Sequence, residues 1–300
     1  MNLTQPKALQ RGDLVAIVTT ARKIDKEDIQ LAIELLESWG LNVVLGKTIG
    51  LEDNQYGGTD LDRATDFQQA MDDPAVKAIW CARGGYGTVR IIDSLDFTQF
   101  VKTPKWVIGF SDVTALHSHL HNMGIETLHA AMPITVKGNT PQALASLQKD
   151  LFGFKNSYTI PPVAINKLGE ATGVLVGGNL SMLYSLLGSP SAIETKGKIL
   201  FIEDLDEYLY HVDRMLMNLK RNGYFDNLAG LIVGGMTKMN DNDIPFGKNA
   251  EEIILDAVSD YDFPVAFNFP AGHVKDNRSL HFGKTVDFVV TNSATHLKFI

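Results

Sequence analysis

Cysteine is nearly absent. Cys81 is the single one among 300 residues, so no intramolecular disulfide can form and a disulfide-stapled scaffold is excluded. The chain does not need one, since at this length about 75% of the unfolded surface can be buried on folding. Long apolar runs are missing as well: no stretch approaches the ~20 residues that cross a bilayer. The opening MNLTQPKALQRGD carries no apolar signal-peptide core, so a cytoplasmic location with no membrane partner is expected. Basic patches are missing too. With 27 basic against 35 acidic residues the formal charge is −8, and no basic run exceeds the pair Lys220-Arg221. Nucleic acid, whose binding rests on neutralising many phosphates, is therefore not an expected partner. Neither an internal repeat nor a low-complexity segment is present. What remains is ordinary globular composition, 45% apolar and 21% charged, in a length that suggests two domains.

In the first half, short apolar runs at 14–18, 41–45, 78–82 and 106–110 alternate with helical stretches at 26–39, 60–71 and 89–95. That alternation builds a parallel sheet covered by helices. Gly40 suits the C-cap of the first helix. From 137 the pattern changes to a polar helix candidate at 141–150 and an extended Pro161-Pro162, which reads as a linker. Beyond it, strands are expected at 173–176, 199–202, 231–233, 264–268, 286–290 and 296–300, with helices at 179–187, 211–222 and 250–260. The closing strands have no helices between them, which suggests a mixed or antiparallel second sheet. The expected fold class is α/β, with an N-terminal α/β domain over 1–140, a linker over 141–168 and a C-terminal domain over 169–300. In open α/β sheets ligands bind beyond the carboxyl ends of the strands, so the loops there are where chemistry is sought.

Four such loops stand out. In Gly109-Phe110-Ser111-Asp112 a strand runs directly into a helix; a serine at that corner projects its hydroxyl above the sheet at the positive end of the helix, as in a nucleophile elbow. Val113 replaces the second glycine of the hydrolase G-x-S-x-G, and Ser111 could equally be a plain N-cap. In Arg83-Gly84-Gly85-Tyr86-Gly87, glycines let the backbone approach an anion, either a phosphate or a developing oxyanion. No lysine-serine pair makes it a P-loop, the third glycine of the dinucleotide fingerprint is missing, and a tight turn is the plain alternative. Carboxylates cluster past a buried strand at Glu203, Asp204, Asp206 and Glu207, either to orient a histidine or as a solvated loop. His273 follows Pro270-Ala271-Gly272. His117 and His121 stand four apart on one helix candidate, a spacing open to zinc, but Ser118 occupies the place of a zincin glutamate and no third ligand is near in sequence. Cys81, inside an apolar strand, reads as a small hydrophobe.

Taken together, these loops resemble the LD-carboxypeptidase family of serine peptidases, which also includes the microcin C immunity peptidases. The resemblance spans nearly the whole chain. It rests on Pro6-x-x-Leu9-x-x-Gly12-Asp13, Arg83-Gly-Gly-Tyr-Gly87, Gly109-Phe-Ser-Asp112, Gly177-Gly-Asn179, Ile202-Glu-Asp204 and Gly272-His273, in that order and at similar spacing. It implies an N-terminal flavodoxin-like or class I glutamine amidotransferase-like parallel sheet, and a C-terminal mixed, barrel-like α/β domain. It implies a triad of Ser111, Glu203 and His273, an oxyanion hole from the amides of Gly85 and Asp112, and no metal or organic cofactor. The implied substrate is a murein tetrapeptide, cut at the L,D bond that releases terminal D-alanine in peptidoglycan recycling, and a homodimer is the implied assembly. Arg83 and Gly84 are candidate contacts for the substrate's carboxylate, and Asp204, with Asp206 and Glu207, for a diamino acid's ammonium. Thr19-Thr20-Ala21 departs from the proline-containing turn of many members. A same-fold peptidase acting on a peptidyl-nucleotide is the nearest rival, although 177–203 holds Tyr184 but no tryptophan and no long insertion. A catalytically silent ligand-binding module is the second.

Overall fold

The computed structural model describes residues 3–300. Strands β1 (Leu14–Val18), β2 (Asn42–Leu45), β3 (Val76–Cys81), β4 (Trp106–Gly109) and β5 (Thr127–His129) run parallel in the first sheet. Side chains alternate across a strand, so a sheet covered on both faces needs apolar residues at every position. β1 meets that demand. Its Val15 and Ile17 pack with Leu36 of helix α1 (Gln30–Ser38), whereas Ala16 and Val18 pack with Phe67 of α2 (Asp60–Asp72). The expected helix at 89–95 is shorter, a turn of α-helix, α3 (Thr88–Ile91), running into a 3-10 turn. After β4 comes α4 (Thr114–Asn122), whose Leu116 and Leu120 join the α2 face.

The segment read as a linker is structured. Helix α5 (Pro141–Leu151) buries Leu147 and Leu151 in the first domain's core, and β6 (Ser157–Ile160) becomes an edge strand of the second sheet. That sheet continues with β7 (Gly169–Asn179), α6 (Leu180–Ser185), β8 (Ile199–Leu205), α7 (Leu209–Arg221), β9 (Gly230–Thr237), α8 (Ala250–Ala257) and β10 (Val265–Ala266). Strands β7 to β10 are parallel, and Val176, Leu200 and Val233 pack under Val212, Leu216 and Ile253 of the helices. After β11 (Leu280–Phe282), the closing strands β12 (Thr285–Val290) and β13 (Thr295–Phe299) add antiparallel, giving the open mixed order β10-β9-β8-β7-β12-β13-β6.

β11 does not follow its neighbours. It crosses back to pair antiparallel with β5, so the first sheet reads β11-β5-β4-β3-β1-β2 and contains a strand from the end of the chain. A buried seam fixes this exchange: His281 Nε2 and Glu126 Oε2 lie 2.6 Å apart, Tyr158 donates to the Ser279 carbonyl at 2.6 Å, and Ser279 N–H donates to Ser146 Oγ at 2.8 Å. Three-residue strands such as β5 and β11 are too short to show a period in sequence. The exchange means that the two halves share a sheet rather than hang on a tether.

Candidate active site

In the first sheet β4, β3 and β1 are neighbours, so the loops at their carboxyl ends stand side by side. Ser111 follows β4 with φ +62, a left-handed conformation that costs a residue with a Cβ about 1–2 kcal/mol. The cap positions of the short turn and of α4 fall at Phe110 and Val113, so Ser111 is not an N-cap. The corner is held from behind. A methyl at Gly109 would stand 2.8 Å from Val113 Cγ2, and the Gly109 carbonyl accepts from His117 Nε2 at 2.9 Å. A strained residue persists only where its surroundings over-determine it, and such residues cluster at functional sites.

The glycine loop lies against this serine. A methyl at Gly84 would fall 3.2 Å from Ser111 Cβ and 3.3 Å from Oγ, closer than ordinary side chains pack. Asp112, buried to 1%, turns its carboxylate back to accept the Thr88 N–H at 2.9 Å, where the loop enters α3. Burial pushes the Asp112 carboxyl up, against the hydrogen bonds from Thr88 and Gly87 and the charge of Arg63. Arg63, itself fully buried, donates to the carbonyls of Thr20 at 2.6 Å and Gly87 at 3.0 Å. The Gly85 and Asp112 candidates therefore sit on two segments tied to each other by buried polar bonds. Asp112's side chain does the tying while its amide stays at the corner.

In the second sheet Glu203 lies within β8, beside Asn179 of β7, and the buried strand runs on through Asp204, so these two carboxylates belong to the strand and not to a loop past it. Glu203 is fully buried. His273 donates twice to the same oxygen, Glu203 Oε2, from its backbone N–H at 3.0 Å and its ring Nδ1 at 2.6 Å. Gly272 makes this approach possible: at φ +94, a methyl there would lie 2.6 Å from that oxygen. Burial works against the charged His273 ring, but the Glu203 charge and hydrogen bond, with the Asp204 charge, outweigh it and the imidazole titrates above its ordinary range. The ring stands 4.9 Å, centroid to centroid, from Phe110, the residue before Ser111. The structure thus joins the Glu203–His273 arm and brings it to the serine's neighbour. Among the described residues no hydrogen bond links His273 to Ser111, a gap that substrate-free sites commonly show.

Asp204 behaves differently from the ammonium contact expected of it. It is 2% exposed, and its oxygens accept from Asn179 Nδ2 at 2.8 Å, Ser181 N–H at 2.9 Å and Leu205 N–H at 2.8 Å. Burial first, then the neighbouring Glu203 charge, pushes its carboxyl up to about 7. It braces the strand ends and does not face solvent. Asn179, read only as part of a motif, is the joint: its backbone N–H donates to Thr114 Oγ1 at 3.0 Å, and its side chain reaches Glu203 Oε1 at 3.3 Å as well as Asp204. Gly178 lets α4 come this close, since a methyl at its φ of +143 would stand 2.4 Å from Thr114 Oγ1. Helix α4 carries the serine's end of the site and β7 supports Glu203, so this contact sets the distance between them.

Arg83 is half-buried, and its Nη1 donates to the Lys23 carbonyl at 3.2 Å. The cation over the glycine loop is instead Arg22: a methyl at Gly85 would lie 2.6 Å from Arg22 Cδ. Neither histidine of the 117/121 pair is free for zinc. His117 binds Thr127 Oγ1 and Gly109 O, His121 meets Lys198 Nζ at 2.8 Å, and no metal-binding group of three occurs among the described residues. Burial holds these imidazoles down to about 4 and about 3, with the Lys198 charge adding to the second. Cys81 is fully buried and its thiol is pushed up to about 12, as a packed strand residue requires.

Comparison with known proteins agrees with this architecture. Two family models match, the LD-carboxypeptidase N-terminal domain over residues 15–130 and the LD-carboxypeptidase C-terminal domain over residues 172–288. The chain is 36% identical over 289 residues to the probable murein peptide carboxypeptidase of Bacillus subtilis, covering 93% of this chain and 89% of that protein. Among solved structures, the muramoyltetrapeptide carboxypeptidase from Oxalobacter formigenes superposes with a TM-score of 0.87 at 27% identity, over 95% of this chain and 98% of that one. The microcin C7 self-immunity protein shares the fold, with a TM-score of 0.86 at 24% identity over 99% of this chain and 98% of that one.

Proposed function

The chain belongs to the LD-carboxypeptidase family, and on that footing we propose that it is a serine-type peptidase that removes terminal D-alanine from murein tetrapeptides. The observation that carries the reading is the buried Glu203 carboxylate, which accepts both N–H groups of His273, whose ring lies against Phe110, the residue before a serine held at φ +62. Because Nδ1 must donate to a carboxylate, the neutral ring keeps its lone pair on Nε2. Ser111 Oγ attacks the carbonyl carbon of the diamino acid while His273 Nε2 takes the hydroxyl proton. The oxyanion that forms would be met by the Gly85 and Asp112 amides; losing one such donor typically costs ~10²- to 10³-fold in rate. The tetrahedral intermediate collapses as the C–N bond breaks and His273 returns its proton to the amine of departing D-alanine. Water, deprotonated by the same ring, then cleaves the acyl-enzyme.

The name of the Bacillus subtilis relative favours the murein substrate over a peptidyl-nucleotide. So does the lack of a tryptophan and of a long insertion within 177–203, where the aromatics are the half-buried Tyr184, its ring 6.2 Å from that of His211, and the buried Phe201. Intact Ser111, Glu203 and His273 weigh against a silent binding module. The setting we assign is the cytoplasm, with two copies of the chain, both taken from the family; among the described residues no helix is long and apolar enough to cross a membrane. Incubation of the purified protein with a murein tetrapeptide tests the reading by mass. Loss of one alanine is expected, and full turnover by Ser111→Ala overturns the serine mechanism.

A further inference from the structure

Arg22 follows β1 at the carboxyl edge of the first sheet, directly after Thr19-Thr20-Ala21. Its backbone is held on every side. Thr19 Oγ1 donates to the Arg22 carbonyl at 2.8 Å, Gly57 N–H to the Ala21 carbonyl at 3.1 Å, Lys23 N–H to the Gln55 carbonyl at 3.0 Å, and Arg83 to the Lys23 carbonyl at 3.2 Å. The side chain is exposed and, among the described residues, its guanidinium makes no ion pair or hydrogen bond. Lys23, its neighbour, is paired with Glu52. The aliphatic stem of Arg22 lies on Gly85: a methyl there would fall 2.6 Å from Cδ and 2.7 Å from Cγ and Nε. Glycine is favoured at 85 by φ +116.

We propose that Arg22 anchors the substrate's terminal carboxylate, the task for which Arg83, beside the glycine loop, was the candidate; the inference rests on the carboxypeptidase reading. In a terminal alanine the carboxylate carbon is only about 3–4 Å from the scissile carbonyl carbon, a span set by ordinary backbone dimensions. Whatever grips that carboxylate must therefore stand beside the oxyanion donors, and Arg22 crosses one of them. The need is also electrostatic. The chain carries a net charge of −8 and the Glu203 carboxylate lies behind His273, so an incoming carboxylate is best received by a cation. A guanidinium suits the task better than an ammonium, because its fork can bind a carboxylate through two parallel hydrogen bonds. Arg83 then acts as a positioning residue, holding the main chain from which Arg22 projects.

The test compares the tetrapeptide acid with the same tetrapeptide carrying a C-terminal carboxamide, for wild type, Arg22→Ala and Arg22→Lys. Arg22→Ala should lose about 10- to 100-fold in kcat/KM on the acid, the range of a charge-assisted hydrogen bond, and change little on the amide. Arg22→Lys should fall between, and unchanged thermal melting shows that the exposed substitution leaves the fold intact. An equal loss on both substrates, or no loss on either, overturns the anchor while leaving the peptidase reading standing. A wild-type protein that cleaves neither substrate overturns both.

Discussion

Replacing Glu203 by glutamine tests the arm of the site that the structure defines best. The carboxylate does two things at once: a single oxygen receives the ring N–H and the backbone N–H of His273, and its charge keeps the imidazole above its ordinary pKa although burial pulls the other way. Glutamine keeps the volume and removes the charge. It also brings an NH2 group toward Asn179 Nδ2, a donor that now points at Glu203 Oε1 from 3.3 Å, so the amide must either face two donors there or turn its own N–H groups toward His273. In the second case Nδ1 has to accept, the Nε2 tautomer reverses, and the base loses its lone pair toward Ser111. The carboxylate-to-amide change in a serine triad costs about 10⁴ in kcat, which corresponds to ~5.5 kcal/mol of barrier. The pH profile gives a second, independent readout. His273 must be neutral to act as base, so its raised pKa places the acid limb of kcat/KM above the ordinary imidazole value, and activity falls as the pH drops through it. Without the Glu203 charge, burial becomes the leading influence and the limb should move below ~6.5. Stopped or continuous assays of alanine release from pH 5 to 9 measure both. A Glu203→Gln protein with less than a tenfold loss and an unmoved acid limb would refute this account.

Further outcomes follow from other parts of the framework. Ser111→Gly relieves the left-handed strain and should gain about 1 kcal/mol, roughly 2–4 °C in melting temperature, while alanine release stops; a destabilised Ser111→Gly would show that φ +62 carries no strain. Gly178→Ala places a methyl against Thr114, and should cost about 2–4 kcal/mol by strain and overpacking. It should also lower kcat more than it raises KM, because it spreads the two halves of the site; calorimetry and steady-state kinetics check it. Asp150 is buried in the seam with an unpartnered oxygen, and burial pushes its carboxyl up to about 6. A carboxyl raised in the folded state binds its proton more tightly there, so its contribution to stability falls as pH rises from about 4 to 6 and stays lost above. Asp150→Asn should therefore stabilise by up to ~3 kcal/mol at pH 8 and gain nothing near pH 4, which denaturant melts at the two pH values would reveal.

Much of this protein is written locally. β1, β8, α2 and α7 are legible because apolar spacing follows the period of the element; Ser111 and His273 are legible because each follows a strand in a loop of distinctive composition, and Glu203 because a carboxylate run breaks an apolar one, although the strand continues through it. The order of these loops along the chain was enough to name the family. Arg22 was not legible. In sequence it is half of an exposed Arg22-Lys23 pair, and its one distinction, the crossing of Gly85, involves a partner 63 positions away. The same holds for Asp204, which shares a carboxylate cluster with solvated neighbours and yet is buried by Asn179 and the start of α6.

Sequence alone determined the longer elements and the chemical groups, since both depend on residues a few positions apart, whereas the short strands β5, β6 and β11 lay below its reach. Tertiary structure alone decided their arrangement: that β11 enters the first sheet, that Gly178 meets Thr114, and that one carboxylate oxygen receives both N–H groups of His273. Those are contacts between segments distant along the chain. Their existence depends on how the sheets are ordered and how closely glycines allow them to approach, which no local periodicity records.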